Sequence, residues 1–132
     1  MKSISIRQPW ANMIAEGRKT IETRTWSTRF RGDILIVSTA SGPNGPRGVA
    51  LCIARVVDCR LMISSDESQA CCPIYDGAFS WILADVRPIT PFPVRGRLRL
   101  YDVEFPTYSN VATDRPIEVR PKQLWLCGFL SP

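Results

Sequence analysis

Residues 3–6 alternate Ser, Ile, Ser, Ile, a period-two pattern that predicts a strand with Ile4 and Ile6 on one face. Pro9 follows and suits the first position of a helix, where its missing N–H costs nothing. Trp10, Met13 and Ile14 then fall at i, i+3 and i+4, and Gly17 offers a stop, so a short amphipathic helix is expected over 9–16. Thr20 to Trp26 is rich in β-branched residues and reads as extended, with Glu22 and Arg24 on one face. Arg29-Phe30-Arg31-Gly32 supplies a turn. The run Ile34-Leu35-Ile36-Val37 within Asp33–Ser38 reads as a central strand buried on both faces. A Gly/Pro loop over 41–46 precedes a second long apolar strand, Gly48–Val57. Phe79–Val86 alternates with Phe79, Trp81, Leu83 and Asp85 on one side, while Pro88, Pro91 and Pro93 predict a loop or an edge. Val94–Phe105 alternates again. Six or so strands with one early helix, separated by Gly/Pro turns, predict a mainly β protein, a small barrel rather than a βαβ sheet.

The 132 residues argue for one domain, against a norm of roughly 150 residues per domain. Hydrophobic residues at 45% and charged residues at 22% disfavour disorder. No apolar run approaches the ~18 residues of a membrane helix, and Arg7 and Pro9 interrupt the first apolar stretch before a signal-peptide core forms, so a cytoplasmic protein without membrane partners is expected. The segment from Pro106 to Pro132 is less regular, with Trp125-Leu126-Cys127-Gly128-Phe129 expected to dock back as a strand or hook.

Histidine is absent. That removes Ser-His and Cys-His nucleophile pairs, the imidazole general base and mixed Cys/His zinc sites. The five cysteines, Cys52, Cys59, Cys71, Cys72 and Cys127, contain no C-x-x-C pair and read as reduced thiols, most of them in the core. No metal or cofactor is expected. A net charge of +5, carried by 14 arginines and three lysines (Lys2, Lys19, Lys122), suits an anionic partner such as RNA, because arginine's planar fork favours phosphate and base contacts. Base composition of the gene explains an arginine excess equally well.

Gly17-Arg18-Lys19-Thr20-Ile21-Glu22-Thr23-Arg24 is the most specific stretch. A helix ends at a glycine, and a lysine, a carboxylate and an arginine emerge within eight residues onto an adjoining strand. Lys19 stands where an arginine-rich chain has kept an ammonium, the one of the two cations able to lose its proton when desolvated. Glu22 and Arg24 are placed to pair with each other or to orient Lys19. An ordinary surface turn bearing solvated charges fits the same residues.

Ile4-Ser5-Ile6-Arg7-Gln8-Pro9-Trp10-Ala11, then Gly17-x-Lys19-x-x-Glu22-x-Arg24-x-Trp26, Arg31-Gly32 before an apolar strand, Gly77-x-Phe79-x-Trp81-x-Leu83 and Pro93-Val94-x-Gly96 together resemble the ASCH domain of the PUA-like superfamily, over roughly residues 3–104. The resemblance implies a PUA-like barrel with a helix flanking a cleft that binds RNA or nucleotides. It places Gln8, Trp10, Lys19, Glu22 and Arg24 along that cleft, with Ser38 and Trp81 as neighbours. An indole there would stack on a base while Lys19 or Arg24 meets a phosphate; core packing is the competing role for Trp10 and Trp81. Some single-domain relatives resemble amidohydrolases that deacetylate acetylated cytidine with a lysine, a threonine and a glutamate. Lys19 matches the lysine, whereas Glu22 stands at the threonine position and no catalytic acid aligns. Others are described as ribonucleases, so the alternative to binding is a Lys19-dependent, metal-independent hydrolase in which Glu22 would assist.

Three smaller features complete the reading. Arg95, Arg97 and Arg99 alternate with Gly96, Leu98 and Leu100, which puts three cations on one strand face, either solvated or tracking an RNA backbone. Asp66-Glu67 is a candidate donor of a cleft carboxylate. Cys71-Cys72 reads as a loop feature rather than a redox pair, since adjacent cysteines bridge only with strain.

Overall fold

Ile34, Leu35, Ile36 and Val37 are all at 0% exposure, because the strand that carries them runs through the middle of the sheet and is covered on both faces. In the computed structural model, which describes residues 1–106, the elements are β1 (Lys2–Ile6), α1 (Trp10–Ala15), β2 (Ile21–Arg24), β3 (Gly32–Ser38), β4 (Val49–Leu61), α2 (Glu67–Ala70), β5 (Phe79–Pro93) and β6 (Leu100–Asp102). A single 3-10 turn, Ser64–Asp66, leads into α2. Among the described residues the strands form one curled sheet in the order β2-β5-β4-β3-β1-β6, a half-barrel with β2 and β6 as its outer strands. All neighbours are antiparallel except β1 and β3, which pair in parallel with Ile4 opposite Ile36.

The pleat sorts the apolar residues into two layers. Ile4, Ile34, Ile36, Val56, Trp81 and Leu83 pack with Ala11, Ile14 and Ala15 of α1. Leu35, Val37, Ala50, Ile89 and Phe92 form the opposite layer. A smaller cluster, Ile21, Met62, Ala70 and Ala78, secures β2 and α2.

Four expectations need correction. The buried stripe of α1 is Ala11, Ile14 and Ala15, again i, i+3, i+4 but shifted one residue from the predicted register, so Trp10 is exposed and Met13 half-buried. Pro9 precedes the helix as its N-cap, after a cis Gln8–Pro9 peptide. The strand at Phe79 does not end at Val86: β5 continues through all three prolines, paired there with β4, while β2 reaches no further along β5 than Ile82. All three prolines lie beyond the reach of β2, and one of the register shifts in the β4–β5 ladder, between Ala50 and Cys52, falls among them. Finally, only Leu100–Asp102 of the stretch from Val94 to Phe105 is strand; residues 94–99 form a loop, so Arg95, Arg97 and Arg99 do not share a strand face. Val94 donates to the Gly48 carbonyl at 3.0 Å, and Gly96 approaches Ser5 so closely that an added Cβ would lie 2.7 Å from its Oγ. These two contacts tie the loop to the start of β4 and to β1.

Cys52, Cys59, Cys71 and Cys72 are free, as expected of reduced thiols, but Cys52 alone among them is buried and the other three are half-buried. The expected docking of Trp125–Phe129, and Cys127 with it, lies outside the described residues.

Candidate functional site

Lys19 owes its position to the way α1 ends. Gly17 takes φ +79, a conformation open to glycine, and the N–H groups of Arg18 and Lys19 both donate to the Met13 carbonyl at 3.0 Å. The chain is thereby turned back under the helix, and Thr20 continues it by donating to the Gln69 carbonyl of α2 at 3.0 Å. Lys19 is left with 2% exposure. Its ammonium donates to the Ala70 carbonyl and lies 3.3 Å from Glu22 Oε1.

Glu22, on β2, is the hinge of the arrangement. Its Oε2 accepts from Arg24 Nη1, one pleat further along the same face, so Lys19, Glu22 and Arg24 form a continuous chain of charge. Arg24 is anchored as well by the carbonyls of Ser5 (2.9 Å) and Thr23 (3.0 Å). Burying an ion pair costs several kcal/mol of desolvation per charge unless its geometry and hydrogen bonds are good. Here every member has at least two partners.

This chain lines a cleft of about 400 Å³ together with Ser5, Arg7, Trp10, Thr39 and Tyr75. Trp10 is 36% and Tyr75 40% exposed, so both present ring surface to solvent at the cleft. Cys72 also reaches the lining, its Sγ 3.8 Å from Thr23 Oγ1. Arg7, Lys19 and Arg24 stand against the single carboxylate of Glu22, which leaves a positive, hydrogen-bond-rich hollow beside aromatic rings. Chemically it offers donors for a phosphate or a base edge, a carboxylate acceptor and a surface for stacking. Among the described residues no three His, Cys, Asp or Glu side chains gather as a metal-ligand set.

Of the residues expected here, the structure therefore brings Trp10, Lys19, Glu22 and Arg24 together. Gln8 stands behind the cleft at 0% exposure, accepting from the Asn12 N–H (2.9 Å) and donating to the Pro46 carbonyl (2.8 Å), so it ties α1 to the 41–46 loop. Ser38 is buried and exchanges hydrogen bonds with the Val49 backbone. Trp81 is core: its Nε1 donates to the Trp26 carbonyl at 3.3 Å, and the two indoles meet edge to face at 4.8 Å. Asp66 does not serve the cleft. It pairs in bidentate fashion with Arg60 (2.7 and 2.9 Å) and accepts from Ser80, and the Arg60 guanidinium holds its carboxyl well below the usual carboxylate range. Glu67 instead accepts from the Ile74 N–H at 2.7 Å. Sequence reading missed Arg7, Thr39 and Tyr75. Arg7 lay inside the motif Ile4–Ala11 and carried a usable signal; Tyr75, in an irregular loop, carried none.

The ASCH domain profile matches residues 4–93. Activating signal cointegrator 1 of Homo sapiens is 42% identical over 41 residues, and that of Mus musculus 39% over 41. Each match covers 31% of this chain and only 7% of the length of those relatives. The crystal structure of ASCH from Zymomonas mobilis shares the fold at a TM-score of 0.61 and 17% identity, over 78% of this chain and 87% of that one. A mutant form of the Zymomonas mobilis protein aligns at 0.59 and 16% identity, over 78% and 89%. With its profile matched from the first strand to the end of β5 and its half-barrel shared, the chain belongs to the ASCH domain family.

Proposed function

We propose that this domain binds RNA by seating one nucleotide in the cleft between α1, β2 and the loop that carries Tyr75. The observation that carries the reading is the Lys19–Glu22–Arg24 chain, with its lysine and glutamate buried and its arginine part-exposed, opening onto a cleft beside exposed aromatic rings. A fold that wanted stability alone would gain as much from apolar residues at these positions. Fixed charges kept in a concave site are instead suited to recognition, because their dipoles are already oriented when the ligand arrives. Lys19 and Arg24 supply donors to a phosphate or carbonyl oxygen. Glu22 retains acceptor capacity for an exocyclic amine, and Trp10 offers a stacking face.

The test is a titration of labelled single-stranded RNA and of mononucleotides at two ionic strengths, with wild type, Trp10→Ala and Lys19→Arg. Binding that weakens with salt and with loss of Trp10 supports the reading. No binding at low salt removes it. Turnover of acetylated cytidine or RNA by wild type, lost in Lys19→Arg while binding persists, would replace recognition by Lys19-dependent hydrolysis.

A further inference from the structure

A second, larger hollow of about 830 Å³ adjoins the cleft and shares Ser5, Arg24 and Thr39 with it. Its far wall is the 94–99 loop, which brings Arg95, Arg97 and Arg99 to the same side as Arg24, and among the described residues no carboxylate lines it. Among the described residues, the side chains of Arg95 and Arg97 have no ion-pair partner. Arg99 lies over the Trp26 ring with its guanidinium carbon 4.2 Å from the centroid. The loop is held from beneath by the Gly96–Ser5 approach and by the 2.6 Å hydrogen bond between Ser5 and Tyr101. A basic wall that is anchored, unpaired and continuous with a candidate nucleotide site differs from a merely solvated one.

We propose that the 94–99 loop is a phosphodiester track that carries the nucleotides adjoining the one in the cleft, so that the ligand is a single-stranded oligoribonucleotide and not a free nucleotide. Arg24 sits at the junction of the two hollows and serves both. The proposal rests on the reading of the cleft given above, and it adds a specificity: affinity depends on chain length. Guanidinium forks at Arg95 and Arg97 would meet successive phosphates, while Trp26 keeps Arg99 extended over the hollow.

Affinity is measured for a mononucleotide and for an eight-residue oligoribonucleotide over a series of salt concentrations, using wild type and the double variant Arg95→Gln/Arg97→Gln. Both substituted side chains are exposed, so the variant is expected to keep the wild-type thermal midpoint. Wild type should bind the oligonucleotide at least tenfold more tightly than the mononucleotide. The double variant should lose most of that difference, leave mononucleotide affinity unchanged, and flatten the log–log salt slope by about 1.4, two phosphates at about 0.7 each. Equal affinity of wild type for both ligands would overturn the track and leave the cleft reading intact. Loss of the length effect in the double variant, with Trp10→Ala neutral toward every ligand, would support the track and remove the cleft reading. No binding of either ligand removes both. Displacement of the oligonucleotide by inorganic polyphosphate at an equal phosphate concentration would also overturn the proposal, since the site would then read charge without a nucleic acid chain.

Discussion

Replacing Glu22 by Gln leaves the shape of the site nearly unchanged and removes the one charge that Lys19 and Arg24 share. The Lys19 side chain is 2% exposed and that of Glu22 7%, so solvent cannot take over the role of counter-ion. Deleting one partner of a buried pair costs about 3–5 kcal/mol, because the other charge is stranded. The glutamine oxygen can still accept from either cation, and Lys19 keeps the Ala70 carbonyl, which argues for the lower end, about 3 kcal/mol. Against a total stability of about 5–15 kcal/mol that is a large share, and it corresponds to a midpoint lowered by roughly 12 °C for a chain of this size. The decisive comparison is the double variant Lys19→Met/Glu22→Leu, which removes both buried charges and leaves Arg24 on the carbonyls of Ser5 and Thr23. Urea unfolding at pH 7, with the slope checked for constancy, should place the double variant within about 1 kcal/mol of wild type and well above Glu22→Gln, yet without nucleotide affinity. If Glu22→Gln lies within about 0.5 kcal/mol of wild type, or if the double variant is no more stable than the single one, the buried pair is not the energetic unit described.

Trp10→Ala, at an exposed position, should change stability by less than about 1 kcal/mol while weakening nucleotide binding by the ~1–3 kcal/mol of a stacked base; a collapsed thermal midpoint with normal binding would make Trp10 structural. Asp66 has a folded-state pKa depressed chiefly by Arg60, so its contribution is present at neutral pH and lost as pH falls below the unfolded carboxylate value of about 4. Asp66→Asn should accordingly cost on the order of 2 kcal/mol at pH 7 and flatten the acid limb of the stability curve, and an unchanged limb would refute the assignment. Gly96→Ala should push the loop off Ser5 and break its bond to Tyr101 at a cost of about 1 kcal/mol, relieved when Ser5→Ala is added, as read from thermal midpoints. Bound nucleotide should slow alkylation of Cys72 at the cleft, measured by peptide mass spectrometry, whereas Cys52, whose thiol burial pushes up, should stay inert until unfolding; an unprotected Cys72 would put the ligand elsewhere.

Where composition and period act on the same residues, the fold could be read directly. Ile34–Val37 has no polar position to turn outward, so only a doubly covered strand satisfies it. The Gly17 turn likewise announced itself, because its glycine is required by a backbone conformation and not by packing. The register of α1 was harder, since alanine and tryptophan are both apolar and six residues give little periodicity to choose between adjacent faces. β5 misled because proline is read as a strand breaker unless one knows that the neighbouring strand has already ended. In the site, the local motif Lys19–Glu22–Arg24 was legible as a pair-forming set. Tyr75 and the arginine loop were not, because they are delivered by tertiary approach: Tyr75 by an irregular loop, and the arginines by Gly96 pressed on Ser5 from the far end of the sheet-forming sequence.

The place of β1 in the sheet also constrains how the molecule can be assembled in time. It is flanked by β3 and by β6, with Lys2 opposite Asp102, so the second residue of the sequence pairs with one of the last residues of the sheet. Closing so long a loop must be completed before those contacts reward it, and such non-local pairing slows folding. During synthesis β1 can find β3 early, but its other edge stays bare until residues 100–102 emerge. Because Tyr101 grips Ser5 and the 94–99 loop lies immediately before β6, the arrival of β6 also seats the basic wall, and a nascent chain acquires its cleft motif before it acquires that wall.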